Sequence, residues 1–256
     1  MTFEKILGEI LGTGTLILLG DGVVAGVLLS KSKAQNSGWI VITMAWAMAV
    51  FCGVLVCGGI SGAHLNPAVT LGFAVAEAFK AGSTNITWDM VPGYWAGEMI
   101  GAFIGAVLVF LHYYPHWVET ENADLKLAVF STGPAIRNYT WNFVSEVIGT
   151  FVLVFVILVF AFTPNAPTGQ LGALTVALLV LVIGLSLGGT TGYAINPARD
   201  LGPRIAHFLL PIPGKRDSDW AYSWVPVVGP LVGGALAALV WYLAFVQFIS
   251  LAIKVT

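Results

Sequence analysis

The sequence predicts an all-α membrane protein of six transmembrane helices plus two re-entrant half-helices, arranged as an inverted 3+3 repeat. Three observations carry this. Of 256 residues, 57% are hydrophobic and only 9% charged, with a mean hydropathy of +0.88, whereas soluble domains carry about 25% charged residues. Six apolar runs are long enough to cross a bilayer and two are too short, a span needing roughly 20 apolar residues. Each short run follows a near-copy of one phrase, GGISGAHLNPAV from Gly58 and GGTTGYAINPAR from Gly188, 130 residues apart.

Taken in order, full spans are expected over residues 6–30, 38–60, 92–113, 142–163, 171–189 and 224–250, between polar or Gly/Pro-rich breaks. The first is read as a retained span rather than a signal peptide, because its flank is weakly basic, Glu9 interrupts the apolar run and no small-residue cleavage pattern follows. The short runs cover 66–79 and 196–210. A net charge of -2 without any Lys/Arg run speaks against nucleic acid as a partner. The partner is the lipid bilayer. No room is left for a soluble catalytic domain, and no nucleophile, acid–base pair or metal-ligand cluster stands out, so neither enzyme activity, cofactor nor metal is expected.

The echo extends beyond one phrase. Glu9-Ile-Leu-Gly12-Thr13-x-x-Leu16 matches Glu146-Val-Ile-Gly149-Thr150-x-x-Leu153, and Gly97, Gly101 and Gly105 match Gly229, Gly233 and Ala237. Small residues at that spacing let membrane helices approach closely. The chain therefore reads as a duplication within a single channel domain, 1–125 and then 126–256. Three spans per half force the second half into the membrane upside down, and inverted repeats with short segments at matching positions point to a transport pathway at the midplane.

Within Asn-Pro-Ala, Asn is a favoured N-cap and Pro suits the first helical position, so Asn66-Pro67-Ala68 and Asn196-Pro197-Ala198 each open a half-helix. The preceding stretches, 58–65 and 188–195, are expected to be irregular, which membrane depth tolerates only when backbone is buried or lines a water-filled cavity. Inversion brings the two N-termini together at the midplane, each with about half a positive charge. With the two asparagine amides they would bind a passing oxygen and repel cations and protons. Glu9 and Glu146 occupy equivalent places in spans one and four; an unpaired carboxylate there is costly. Two readings compete, a brace that accepts N–H bonds from the irregular loops and a proton relay; the repeat symmetry favours the brace.

These motifs, with Ser-Gly-Ala-His-Leu before the first Asn-Pro-Ala and Arg-Asp after the second, resemble the aquaporin superfamily over essentially the whole chain, and its bacterial glycerol facilitators in particular. The resemblance implies a selectivity filter of Trp46, Gly184, Tyr193 and Arg199, and pore-lining loop backbone at Gly62, Ala63, His64, Thr191, Gly192 and Ala194. Gly184 stands where water-selective members carry His, and Asp200, Arg204 and Pro226 match the glycerol-conducting branch. Glycerol has a row of hydroxyls and an apolar edge, so Trp46 and Tyr193 would form a greasy wall opposite the guanidinium fork of Arg199. Tyr193 departs from the usual Phe, and Glu98 from the usual Gln without an assigned role.

What the resemblance implies is passive diffusion of glycerol and other small neutral solutes, and of water, while ions and protons are excluded, by a homotetramer in a bacterial cytoplasmic membrane, termini inside. Basic residues in the expected loops argue the other way on orientation, with Lys5, Lys80 and Lys254 on the side of the termini and Lys31, Lys33, Lys126, Arg137, Arg199, Arg204, Lys215 and Arg216 opposite. Alternatives stay open: a channel mainly for water, lactic acid, dihydroxyacetone, urea or hydrogen peroxide, and a proton-coupled transporter using Glu9, Glu98 or Glu146. Arg199 also reads as a snorkelling interfacial arginine, Trp46 and Tyr193 as packing aromatics, and His64 as a structural residue or a pH gate.

Overall fold

The structure, a computed structural model, describes residues 1–79, 84–162 and 168–249. The expected ends of the fourth and sixth spans, Thr163 and Ser250, and the loop lysines Lys80 and Lys254 lie outside these residues. Among the described residues all regular structure is helical: α1 Phe3–Leu28, α2 Trp39–Ser61, α3 Pro67–Ala78, α4 Val91–His112, α5 His116–Glu119, α6 Ala123–Phe130, α7 Tyr139–Phe162, α8 Gly169–Leu187, α9 Pro197–Leu209 and α10 Trp224–Trp241, which runs on into a π-helical stretch, Tyr242–Ile249. Six of them, α1, α2, α4, α7, α8 and α10, are long and apolar enough to cross a membrane.

The packing obeys the duplication. In the first half α1 packs on α4 and α2; in the second α7 packs on α10 and α8. The half-helices exchange: α3 lies chiefly against α10, and α9 against α4. Each half thus completes its wall with the short helix of the other, and the starts of α3 and α9 face each other in the middle. The repeated small residues make the α1–α4 and α7–α10 contacts possible. A methyl group at Gly101 would lie 2.4 Å from the Ile10 carbonyl oxygen, and one at Gly233 would lie 2.5 Å from that of Val147, inside any real contact distance.

Polarity is distributed as a bilayer requires. Large apolar side chains such as Leu11, Met44, Leu55, Ile104, Leu178 and Val182 are exposed, while Glu9, Asp21, Glu98, Glu146, Asp200 and Arg204 are buried. Lipid tails would cover the first set; the second set has to find partners inside the protein.

Span ends shift by a few residues from those expected, as α1 begins at Phe3 and α8 at Gly169, and one boundary bears on the loops. Irregular backbone was expected from Gly58, yet α2 continues through Ser61 and the irregular stretch begins at Gly62, whose φ of 93° terminates the helix. Gly58 and Gly59 cost a helix only about 1 kcal/mol each, less than exposing further unpaired backbone at this depth would. Gly62 takes the left-handed conformation that glycine adopts freely. The polar connection between the halves is also more ordered than a loop: it forms α5 and α6, and the strand of chain after α6 lies on the second irregular loop, with the Ala135 N–H donating to the Thr190 carbonyl at 3.0 Å.

Candidate functional site: a pore at membrane depth

The two half-helix starts are built alike. Asn66 and Asn196 have extended backbone, φ -161° and -156°, with proline following at the first helical position. The Asn66 Oδ1 accepts the Ala68 N–H at 2.9 Å; the Asn196 Oδ1 accepts those of Ala198 at 3.0 Å and Arg199 at 3.2 Å. Each amide nitrogen then reaches into the other half. Asn66 Nδ2 donates to the Ile195 carbonyl at 2.8 Å, and Asn196 Nδ2 to that of Leu65 at 2.7 Å. A primary amide has two N–H donors, so one on each asparagine is left for a passing oxygen.

The loops before the asparagines repeat residue for residue. Gly62, Ala63 and Leu65 have φ of 93°, 54° and 55°; Gly192, Tyr193 and Ile195 have 83°, 39° and 43°. Left-handed backbone costs a non-glycine residue about 1–2 kcal/mol, and a buried carboxylate opposes that cost in each half. Glu9 accepts the N–H of His64 at 3.0 Å and of Leu65 at 2.7 Å. Glu146 accepts those of Ala194 at 3.0 Å and Ile195 at 2.9 Å, and the Thr191 hydroxyl at 2.6 Å. With their N–H groups turned to the carboxylates, the loops leave carbonyls for the other side.

A cavity of about 290 Å³ runs along these loops. Gly62, Ala63, His64 and Ala194 line it together with both asparagines and with apolar side chains that include Val50, Leu153, Ile157 and Val180. Thr191 and Gly192, expected on the pore, are not among the lining residues. The Thr191 hydroxyl is turned to Glu146, and Gly192 carries the left-handed turn that delivers Tyr193.

Of the filter set, Trp46, Tyr193 and Arg199 line the cavity. Gly184 does not: a methyl group there would lie 2.8 Å from Tyr193 Cζ, so the phenol occupies the space that the glycine leaves. Trp39 backs this arrangement, its indole N–H donating to the Gly184 carbonyl at 3.0 Å and its ring meeting Tyr193 edge-on at 5.7 Å. The Tyr193 hydroxyl is buried without a hydrogen-bond partner. The guanidinium carbon of Arg199 sits 4.1 Å from the centre of the Trp46 ring, a cation–π contact. No solute atom fits between them at that spacing, so Trp46 and the guanidinium form one stacked unit, whereas the sequence places this indole opposite the fork.

The remaining predicted residues support this frame from behind. Asp200 accepts the N–H and hydroxyl of Thr132 at 2.8 and 2.7 Å and binds Arg204 through both oxygens. Arg204 also donates to the carbonyls of Ser218 and Thr132, at 2.7 and 3.1 Å. Both side chains are fully buried, so they tie α9 to the linker and to the chain ahead of α10 and take no part in the cavity. Pro226 lies buried in the first turn of α10. The His64 ring is stacked on Tyr94 and Phe73, with Nδ1 2.9 Å from the Thr70 hydroxyl, which in turn donates to Glu98 at 2.8 Å. Glu98 thereby has a place: through Thr70 it anchors the imidazole behind the first loop.

Asp21, Thr70 and Trp39 were not singled out from sequence. For Asp21 a signal existed, an acidic residue inside an apolar span. It is fully buried, with Oδ1 3.3 Å from Arg199 Nη1. Thr70 and Trp39 gave none, being ordinary residues of membrane helices.

Comparison with known proteins agrees with this geometry. The model of the family described as major intrinsic protein matches residues 1–241. The chain is 60% identical over 237 residues to glycerol uptake facilitator protein 3 of Lactiplantibacillus plantarum, covering 93% of this chain and 95% of that protein. It is 54% identical to the glycerol uptake facilitator protein of Bacillus subtilis, covering 93% and 84% respectively. The X-ray structure of the aquaglyceroporin from Plasmodium falciparum superposes with a TM-score of 0.81 at 29% identity, over 99% of both chains. Paired half-helices, crossed asparagines and a match along nearly its whole length place the chain in the major intrinsic protein family, whose members are passive membrane channels and not enzymes.

Proposed function

We propose that the protein is a passive channel for glycerol and other small neutral solutes, conducting water as well and excluding ions and protons. The observation that carries the proposal is the character of the cavity wall. Its lining combines loop residues and both asparagines, each with an amide N–H to spare, with many apolar side chains, and Arg199 is the one charged side chain among the described residues that line it. That suits a solute with hydroxyls along one edge and carbon along the other. Two half-helix N-termini at the midpoint oppose cations and protons. The names carried by the relatives support the same substrate class.

The proposal includes a filter of Trp46, Arg199 and Tyr193 with Gly184 behind it, the halves 1–125 and 126–256 joined through α5 and α6, a homotetramer with a pore in each subunit, and residence in the cytoplasmic membrane of a bacterium with the termini inside. The position of Tyr193 over Gly184 favours a second reading, a channel of the same build tuned to solutes smaller than glycerol. A coupled transporter fits less well, because Glu9 and Glu146 are each committed to two backbone N–H groups.

The test is stopped-flow light scattering on proteoliposomes, with empty liposomes as control. Rapid volume recovery in a glycerol gradient without an ion gradient is the expected result. Fast water flux with no glycerol uptake would transfer the conclusion to the second reading, and uptake that requires a pH gradient would overturn both.

A further inference from the structure

Arg199 raises a question of charge. A guanidinium at membrane depth cannot be left unpaired without heavy cost, and its neighbour in sequence, Asp200, is already engaged by Arg204 and Thr132. The partner comes from the other half of the molecule. Asp21, on α1, places Oδ1 3.3 Å from Arg199 Nη1, and its side chain is completely buried. The residue before it, Gly20, provides the floor for Trp46: a methyl group there would lie 2.3 Å from the indole ring. Two consecutive residues of α1 thus shape the stacked pair, Gly20 by making room for the ring and Asp21 by meeting the guanidinium that lies on it.

The formal charges follow. Asp21 with Arg199 and Asp200 with Arg204 form two buried ion pairs that sum to zero at this end of the pore. Without Asp21 the sum would be one positive charge, carried by a side chain that lines the cavity. Asp21 Oδ2 has no hydrogen-bond partner, so hydrogen bonding elsewhere does not explain the carboxylate's position; Arg199 does.

We propose that Asp21 is a positioning residue of the pore, which pins the Arg199 guanidinium against Trp46 and cancels its charge, so that the constriction selects solutes by hydrogen bonding and not by net charge. The inference rests on the pore reading above and adds to it a residue outside the lumen that governs ion selectivity. Exclusion of ions then depends on a matched pair, and each single neutralisation should admit ions of opposite sign.

The test is a charge cycle in planar bilayers under a potassium nitrate gradient, with glycerol and water flux measured on the same preparations in liposomes. Asp21→Asn should leave Arg199 uncompensated and raise nitrate current by about tenfold, since one net charge at a desolvated wall shifts ion partitioning at least that far. It should also change the ratio of glycerol to water flux, because the guanidinium is no longer held. Arg199→Gln should raise potassium current instead, and the double variant should return towards the ion tightness of the parent. If Asp21→Asn changes neither nitrate current nor the flux ratio, or if the potassium current of Arg199→Gln persists unchanged in the double variant, the inference is overturned. Should Asp21→Asn fail to fold, Arg199→Gln against the double variant decides alone. Failure of the pore reading would show separately, as a parent protein without glycerol flux.

Discussion

Replacing Glu146 tests how the second carbonyl loop is held. The carboxylate accepts the N–H groups of Ala194 and Ile195 and the hydroxyl of Thr191. Hydrogen bonds to a charged acceptor contribute about 1.5–3 kcal/mol each, so the three together supply about 4.5–9 kcal/mol before relaxation. Against this stand Tyr193 and Ile195 in left-handed backbone, costing about 1–2 kcal/mol each. The brace outweighs the strain, and without it the loop should relax and turn its carbonyls away from the lumen. Glu146→Ala should therefore cost about 3–5 kcal/mol, the desolvation penalty of the N–H groups left unpaired. Glu146→Gln should cost about 1–3 kcal/mol, because its amide oxygen can still serve Ala194 and Thr191 while the amide nitrogen meets the Ile195 N–H donor to donor. Thermal unfolding in detergent reads the stability and stopped-flow scattering the glycerol flux. A Glu146→Ala protein that unfolds within about 1 kcal/mol of the parent and conducts glycerol normally would refute the bracing argument. Glu9, which holds His64 and Leu65 in the same way, offers an independent repeat in the first half.

Three further outcomes are expected. Tyr193→Phe removes a hydroxyl that has no partner, so stability should stay within about 1 kcal/mol and glycerol should still pass, with only its rate relative to water altered; complete loss of flux in a folded variant would contradict this. Gly101→Ala forces a methyl group to 2.4 Å from the Ile10 carbonyl and should destabilise by about 1–3 kcal/mol, seen as a lower unfolding temperature; an unchanged unfolding temperature would mean that α1 and α4 are not in tight contact. Asp200→Ala strands the fully buried guanidinium of Arg204 and should cost about 3–5 kcal/mol, read as loss of folded protein on size-exclusion chromatography, whereas a normal yield of thermally stable protein would argue against the pair's structural role.

Much of the architecture was legible because a bilayer leaves few options. Apolar runs of spanning length become helices, and the two runs too short to span must be half-helices capped where Asn precedes Pro. Side-chain partnerships were less legible. Glu9 and Glu146 could be matched through the repeat, since symmetry made one carboxylate explain the other. Glu98 has no counterpart at the matching position, Pro230, and its role appeared only when the fold brought Thr70 beside it. The resemblance implies pore-lining backbone at Thr191 and Gly192, yet neither lines the cavity: the Thr191 hydroxyl is bound by Glu146 and Gly192 carries a left-handed turn. The boundary at Gly62 was misjudged because glycine pairs such as Gly58-Gly59 read as breakers, although a helix at membrane depth gains more by keeping its hydrogen bonds than it loses to glycine.

Local and periodic features could be read along the chain: the number of spans, the duplication with its inversion, and the capped starts of the two half-helices, each of which follows from composition, internal repetition or residues adjacent in the chain. Which groups meet depends on the packing of the helices. Arg199 lies 178 residues from Asp21 and is stacked on Trp46 from another helix, and the phenol of Tyr193 fills the gap that Gly184 opens. Such contacts depend on how helices from two interlocked halves approach one another, to within a few tenths of an ångström, and the order of residues along the chain does not encode that approach in any local pattern.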